Sequence, residues 1–110
     1  MIIGIDIGNY ATKTSSLVIF DSKVTNNSLL GKNPFEAESD IFYVGEGNYD
    51  TEYRKVKKKH IRIMFLYALT LSTNDINNKI VVGLPISQYK ADREEMKQLL
   101  MQPRMNVVSL

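Results

Sequence analysis

An acidic residue, a glycine turn and a lysine follow one another near the start of the chain. Asp6 lies in an apolar stretch and Lys13 follows it. Between them, the pair Gly8-Asn9 tolerates positive φ and predicts a tight turn. Backbone N–H groups of such a turn bind anions, a lysine ammonium attracts phosphate, and a carboxylate holds Mg²⁺ directly or through water. The pattern therefore predicts a phosphate and magnesium site, and it also fits an ordinary hairpin with a solvated lysine.

Two predicted strands must position these residues. Residues 2–7 are rich in β-branched side chains, which is the composition of a buried strand. Residues 11–20 predict a second strand, with Lys13 near its start and an apolar far end. A strand, a glycine turn and a returning strand form a hairpin. We therefore expect the acid on one arm of this hairpin and the lysine on the other.

Three segments carry a resemblance to a known superfamily. The order Asp6-x-Gly8-x-x-x-Thr12-Lys13 resembles the first phosphate loop of the actin-like ATPases, which include actin, bacterial actins, DnaK-type chaperones and sugar kinases. Residues 83–89 (Gly-Leu-Pro-Ile-Ser-Gln-Tyr) with residues 93–97 resemble the strand–Leu-Pro–helix segment of ParM-type plasmid-segregation bacterial actins. Residues 43–47 resemble these proteins more weakly. The resemblance covers most of this chain but only the first part of the family's fold.

The resemblance implies a fold, a ligand and a role for each residue of the loop. The fold would be α/β, a mixed sheet with an N-terminal β-hairpin and flanking helices, like the first (ribonuclease H-like) subdomain of actin. The cofactors would be ATP and Mg²⁺, with Asp6 holding the metal through water. Thr12 would support the turn and Lys13 would contact phosphate. Backbone donors to the β- and γ-phosphates would come from Gly8, Asn9, Tyr10 and Ala11.

Composition is that of a globular protein. The 110 residues are 44% hydrophobic and 24% charged, so we expect a single domain, residues 1–110. The resemblance implies that this domain is a partial actin-like N-terminal domain. The chain contains no cysteine, so neither a disulfide framework nor a Cys-based zinc site is expected. The longest apolar run, residues 63–69, is too short to span a bilayer, and no basic leader precedes residue 6. We therefore expect a cytoplasmic protein that does not contact membranes.

Residues 61–71 predict a helix that is apolar on nearly every side. Such a helix must be buried on nearly every side, which requires a second layer or a partner chain. The charges add to this expectation: residues 1–53 hold three Lys and eight acidic residues, whereas residues 54–110 hold eleven Lys or Arg and four acidic residues. Opposite patches attract, although the split can also be accidental. We therefore expect self-association, or association with a full-length actin-like homologue.

The remaining segments predict short elements. We expect a hairpin turn at residues 21–23, a loop over residues 24–40 with a short strand at residues 28–30, and strands at residues 41–44, 80–82 and 106–110. The basic run, residues 54–62, predicts a solvated loop and first helical turn. It lacks the interleaved aromatic residues of a nucleic-acid surface, so direct nucleic-acid binding is not expected. A second helix begins at the Asp92-x-x-Glu95 capping pattern or earlier, near Ser87, and Pro103 stops it.

The function that the resemblance implies is ATP-dependent filament formation for plasmid or phage DNA segregation. The family's second phosphate loop and adenosine pocket cannot be located in this sequence, so we expect weak ATP binding and little ATPase activity from this chain alone. Two alternatives remain open. One is a non-catalytic protein that binds and regulates actin-like filaments. The other is a half-domain of a sugar-kinase-like enzyme.

Overall fold

The computed structural model describes residues 1–101 in full and the backbone of residues 107–109. Two sheets and two helices form the α/β fold expected from the sequence, with an N-terminal hairpin, a mixed sheet and flanking helices. The elements in chain order are β1 (Ile2–Ile7), β2 (Ala11–Thr14), β3 (Ile19–Asp21), β4 (Lys23–Thr25), β5 (Pro34–Ala37), β6 (Asp40–Tyr49), α1 (Ile61–Ser72), β7 (Lys79–Val82), α2 (Ile86–Met101) and β8 (Val107–Ser109).

The larger sheet has five strands in the order β3-β2-β1-β7-β8. β1, β2 and β3 are antiparallel neighbours, whereas β7 runs parallel to β1, and β8 runs parallel to β7. Side chains of β1 alternate between the two faces, as the period of a strand requires. Ile3, Ile5 and Ile7 are buried in the core, and Asp6 points away from it. The predicted strand at residues 80–82 is confirmed as β7, and residues 107–109 of the predicted strand at 106–110 form β8. Residues 106 and 110 lie outside the described part of the chain.

The prediction of one strand over residues 11–20 is wrong. The chain turns back at residues 15–18, so that β2 and β3 form a second hairpin with Lys13 opposite Ile19. The N–H of Thr14 donates to the carbonyl of Val18, and Leu17 takes a positive φ of 65° with its side chain exposed. A leucine in this conformation is uncommon, and for that reason the sequence pattern did not reveal the turn.

The smaller sheet contains three strands in the order β4-β6-β5, and the sequence predicted it poorly. Ser22 is a bend that carries the chain from one sheet to the other, not a hairpin turn. The predicted loop over residues 24–40 contains the end of β4 and all of β5, and residues 28–30 form no strand. β6 continues through the glycines that were expected to end it, because Gly45 and Gly47 take positive φ and form an irregularity in the pairing with β4.

The first helix, α1, lies between the two sheets and is buried as its sequence requires. It contacts β1 and β2 of the larger sheet, β6 of the smaller sheet, and α2. Phe65 and Ala68 are fully buried, whereas Leu71 at the end of the helix is half exposed. The second layer that the sequence demanded is therefore supplied by the chain itself. The apolar character of α1 no longer argues for a partner chain.

The second helix, α2, begins at Ile86, so the earlier of the two predicted starts is correct. Asp92 does not cap the helix but lies within it, with only 1% of its surface exposed. Met96 and Leu100 are fully buried on the inner face of the helix, and Leu99 is partly buried against the same core. The predicted stop at Pro103 lies outside the described residues.

One aromatic side chain joins the two sheets. The ring of Tyr67 on α1 makes edge-to-face contacts with Phe20 of β3, at 5.1 Å between centroids, and with Phe35 of β5, at 5.2 Å. Such pairs contribute about 0.5–1.5 kcal/mol each beyond the area they bury. Tyr67 therefore fixes the smaller sheet against the larger one.

We expect Tyr67→Leu to lower the free energy of unfolding by about 1–3 kcal/mol, because both aromatic contacts are lost. Tyr67→Phe keeps both rings and should stay within about 0.5 kcal/mol of the wild type. Urea denaturation followed by circular dichroism measures both changes. Equal stability of the two variants would contradict the bridging role of the ring.

Candidate functional site

Two loops meet at one edge of the larger sheet. β1 and β7 are parallel and in register, with Ile5 opposite Val82, so the segments that follow both strands leave the sheet at the same edge. These segments are the turn at residues 8–10 and the segment Gly83-Leu84-Pro85 that leads into α2. In open sheets of this kind, ligands bind at the carboxyl ends of parallel strands. The predicted phosphate loop therefore lies where such a site is expected.

Gly8 closes the turn between β1 and β2. Its N–H donates to the carbonyl of Ala11 at 3.0 Å, and a Cβ at this position would lie 2.8 Å from that same oxygen. Because its N–H is used in this way, Gly8 supports the turn and does not offer the free donor that the sequence suggested. Among the described residues, the N–H groups of Asn9 and Tyr10 donate no backbone hydrogen bond. These two exposed residues at the tip of the turn retain the donors that an anion needs.

The acid and the lysine of the motif face each other across the hairpin. Asp6 and Lys13 are register partners of the antiparallel pair, and both lie exposed on the face of the sheet that points away from α1. Thr12 precedes Lys13 on β2, lies opposite Ile7 on the other face of the sheet, and is fully buried. Its hydroxyl shares a 2.9 Å hydrogen bond with the hydroxyl of Ser22, so it fastens the hairpin to the bend after β3. The expected supporting role of Thr12 stays a prediction, but its hydroxyl is not free for a ligand.

A cavity of about 360 Å³ opens beside the tip of this turn. Tyr10 contacts Tyr49 edge-to-face at 5.3 Å, and these rings form one part of the wall. Lys55 and Lys58 of the basic run, Gln88 of α2, and the acidic residues Asp50 and Glu52 also line the cavity. The volume is in the range of small-molecule sites in proteins.

The basic run is largely paired and not a solvated loop as the sequence suggested. Arg54 forms a two-pronged salt bridge with the buried carboxylate of Asp92, and Lys57 lies 2.7 Å from Glu95. Lys58 is 5% exposed and donates to the carbonyl of Asp50 at 2.9 Å. The ammonium of Lys55 donates to the carbonyl of Gly83 at 3.2 Å, at the carboxyl end of β7. Sequence reasoning did not assign Lys55 to the site, because its neighbours in the run carry the same charge.

The salt bridge between Arg54 and Asp92 fixes the basic run against α2. The guanidinium of Arg54 lowers the pKa of Asp92 through hydrogen bonds and charge, against the opposing effect of burial. Gln88 adds to the same attachment, because its side chain accepts from the N–H of Lys55 and donates to the carbonyl of Tyr53. The segment that carries Lys55 is thus held on both sides of that residue.

His60 lies immediately before α1, where its ring contacts Phe42 edge-to-face. Burial lowers its pKa, so the neutral form is favoured near neutral pH. Among the described residues, no group of three or more His, Asp or Glu side chains is arranged to hold a metal ion. Asp6 would therefore supply a single carboxylate, which fits Mg²⁺ bound through water to a phosphate-carrying ligand.

Comparison with known families identifies the class of protein. The model of the family described as "Actin like proteins N terminal domain" matches residues 4–109. The chain therefore belongs to this family, and its mixed α/β fold is that of an actin-like N-terminal subdomain. No curated protein matched the sequence. Within the described part of the chain, neither helix is both long and apolar enough to cross a membrane.

We expect Gly8→Ala to lower the free energy of unfolding by about 1–3 kcal/mol, because the added methyl group collides with the carbonyl of Ala11. Gly83→Ala is the matched control, since no atom lies within 4 Å of the Cβ position at Gly83. Its stability should stay within about 0.5 kcal/mol of the wild type or rise slightly. Urea unfolding measures both. A Gly8→Ala chain as stable as the control would contradict the tight turn.

The salt bridge of Asp92 predicts how the stability of the fold depends on pH. Because its pKa is lower in the folded chain than in the unfolded chain, its ionised form stabilises the fold at neutral pH, and that contribution is lost as pH falls. Asp92→Asn should lower Tm at pH 7, and the difference from wild type should shrink from about pH 5 downward. Glu95→Gln, at an exposed pair, is the control and should change Tm little. A pH-independent Tm difference for Asp92→Asn would contradict this role.

Proposed function

We propose that this chain is the phosphate-binding N-terminal domain of a ParM-type actin homologue, a filament-forming protein that uses ATP to segregate plasmid or phage DNA. Membership of the actin-like N-terminal domain family supports the class. The ParM-type assignment adds the resemblance of the strand–Leu-Pro–helix segment at residues 83–89. We place the protein in the cytoplasm, as plasmid and phage DNA segregation requires.

One observation carries the nucleotide proposal. The tip of the turn presents the N–H groups of Asn9 and Tyr10 at the edge where the parallel strands β1 and β7 end. Lys13 and Asp6 lie on the adjoining arms of the same hairpin. A phosphate at this tip would find backbone donors, a cation, and a carboxylate able to hold hydrated Mg²⁺.

The described residues supply one side of such a site. ATP hydrolysis depends on positioning the γ-phosphate and neutralising its charge, and the hairpin contributes one turn and one carboxylate to that task. We therefore propose that the chain alone binds Mg·ATP weakly and hydrolyses it slowly. Its partners would be further copies of itself or a full-length actin-like homologue.

Isothermal titration of Mg·ATP into the chain tests the proposal. We expect weak binding in wild type and at least about tenfold weaker binding in Lys13→Ala, because a charge-assisted contact to phosphate is lost. Lys79→Ala is the matched control. Lys79 is an exposed lysine of the same sheet but lies at the start of β7, at the opposite edge.

The titration has three possible outcomes, and each has a different meaning for the proposal. Equal affinity in wild type and Lys79→Ala, with a loss confined to Lys13→Ala, supports nucleotide binding at the hairpin. Absence of binding at millimolar Mg·ATP would contradict the proposed function. Equal losses in both lysine variants would show that only net charge matters.

A further inference from the structure

Lys55 brings a second cation to the edge that carries the phosphate loop. Its ammonium lies 3.2 Å from the carbonyl of Gly83, where β7 ends, and its side chain lines the cavity beside Tyr10. The charge of Asp6 is close enough to raise the pKa of Lys55, although burial lowers that pKa more strongly. Lys55 therefore lies at the edge where β7 ends, whereas Lys13 is exposed on the outer face of the hairpin.

The backbone around Lys55 is fixed by contacts with α2 and with the core. Residues Lys55–Lys57 form a 3₁₀ turn, and the N–H of Lys55 donates to the buried side chain of Gln88. On one side, Arg54 is anchored by Asp92 of α2. On the other side, Val56 is buried in the core. The side chain of Lys55 thus starts from a rigid segment, which is what a preorganised ligand contact requires.

The charge of Lys55 is not balanced in the way its neighbours' charges are. Arg54 and Lys57 form salt bridges with acidic residues of α2, whereas Lys55 forms none with the described residues. Its observed acceptor is a neutral carbonyl. Asp50 and Glu52 line the same cavity, but neither forms a salt bridge with Lys55. An anion that enters the cavity beside this partly buried ammonium would supply the missing charge partner.

We propose that Lys55 is a phosphate-binding residue of this site, contacting the terminal phosphate of the nucleotide from the cavity while the hairpin tip binds it from the other side. This inference rests on the proposed function, and it names which part of the ligand reaches the cavity. It also gives the basic run a role at the site, since the salt bridge of Arg54 with Asp92 and the hydrogen bonds of Gln88 hold the segment that positions Lys55.

The variant that tests the proposal is Lys55→Gln, with Lys57→Gln as the matched control. Glutamine can still donate to the carbonyl of Gly83, so the fold should be kept, and circular dichroism and Tm verify this. Lys57 belongs to the same 3₁₀ turn and carries the same charge, but it pairs with Glu95 and does not line the cavity. Any effect of net charge alone therefore appears in both variants.

Titrations with Mg·ATP, AMP and tripolyphosphate, followed by two-dimensional ¹H–¹⁵N NMR and calorimetry, give the readout. We expect Lys55→Gln to weaken ATP and tripolyphosphate binding by about tenfold or more, because a charge-assisted contact is lost. AMP binding should not change, because AMP lacks the terminal phosphates. Lys57→Gln should match wild type for all three ligands. A purely structural lysine would not discriminate between ATP and AMP.

Each result decides between the two proposals. ATP binding that Lys55→Gln leaves unchanged overturns the role of Lys55 while the hairpin site stands. Tripolyphosphate binding that depends on Lys55, in a chain that ignores ATP, supports the anion site and overturns the nucleotide function. Absence of binding by either ligand overturns both. A loss of the same size in Lys57→Gln attributes the effect to net charge and also overturns the proposal.

Discussion

The parallel pairing of β1 with β7 is the contact on which the candidate site depends. It joins strands that are far apart in the sequence, with Ile2 opposite Lys79 and Ile5 opposite Val82. Because parallel strands end at the same edge, this register brings the glycine turn after β1 beside the segment that starts α2. Ile3, Ile5 and Val82 bury the pairing against α1. Without this pairing, the hairpin would still form, but the segment that starts α2 would not lie beside it.

A second set of contacts turns this edge into a cavity. The segment between β6 and α1 is held to α2 by the salt bridge of Arg54 with Asp92 and by the two hydrogen bonds of Gln88. Breaking a buried salt bridge from one side is costly, because an uncompensated charge stays behind. These contacts stabilise the fold directly. They also serve the site, because they set where Lys55 enters the cavity.

The elements with a regular local sequence pattern were predicted correctly. The isoleucines of β1, the Gly8-Asn9 turn, the apolar helix α1 and the short strand β7 all appeared as expected. The errors lie where the backbone takes an uncommon conformation. Leu17 has positive φ in a stretch that resembles one continuous strand, and Gly45 and Gly47 bend β6 instead of ending it. At Leu17 the tight turn between the consecutive strands β2 and β3 requires this conformation. In β6, pairing with β4 overrides the local preference of the glycines.

The sequence by itself determined the fold class, the family resemblance and the identity of the hairpin residues, because each of these depends on neighbours within a few positions. Only the tertiary structure decided which elements cover α1 and that Asp92 pairs with Arg54. It also decided that Lys55 is the lysine of the basic run that contacts the carboxyl end of β7. The partners of Lys55 and Arg54 lie 28 and 38 residues away along the chain. Consecutive cations are alike in sequence, and distant contacts alone give them different roles.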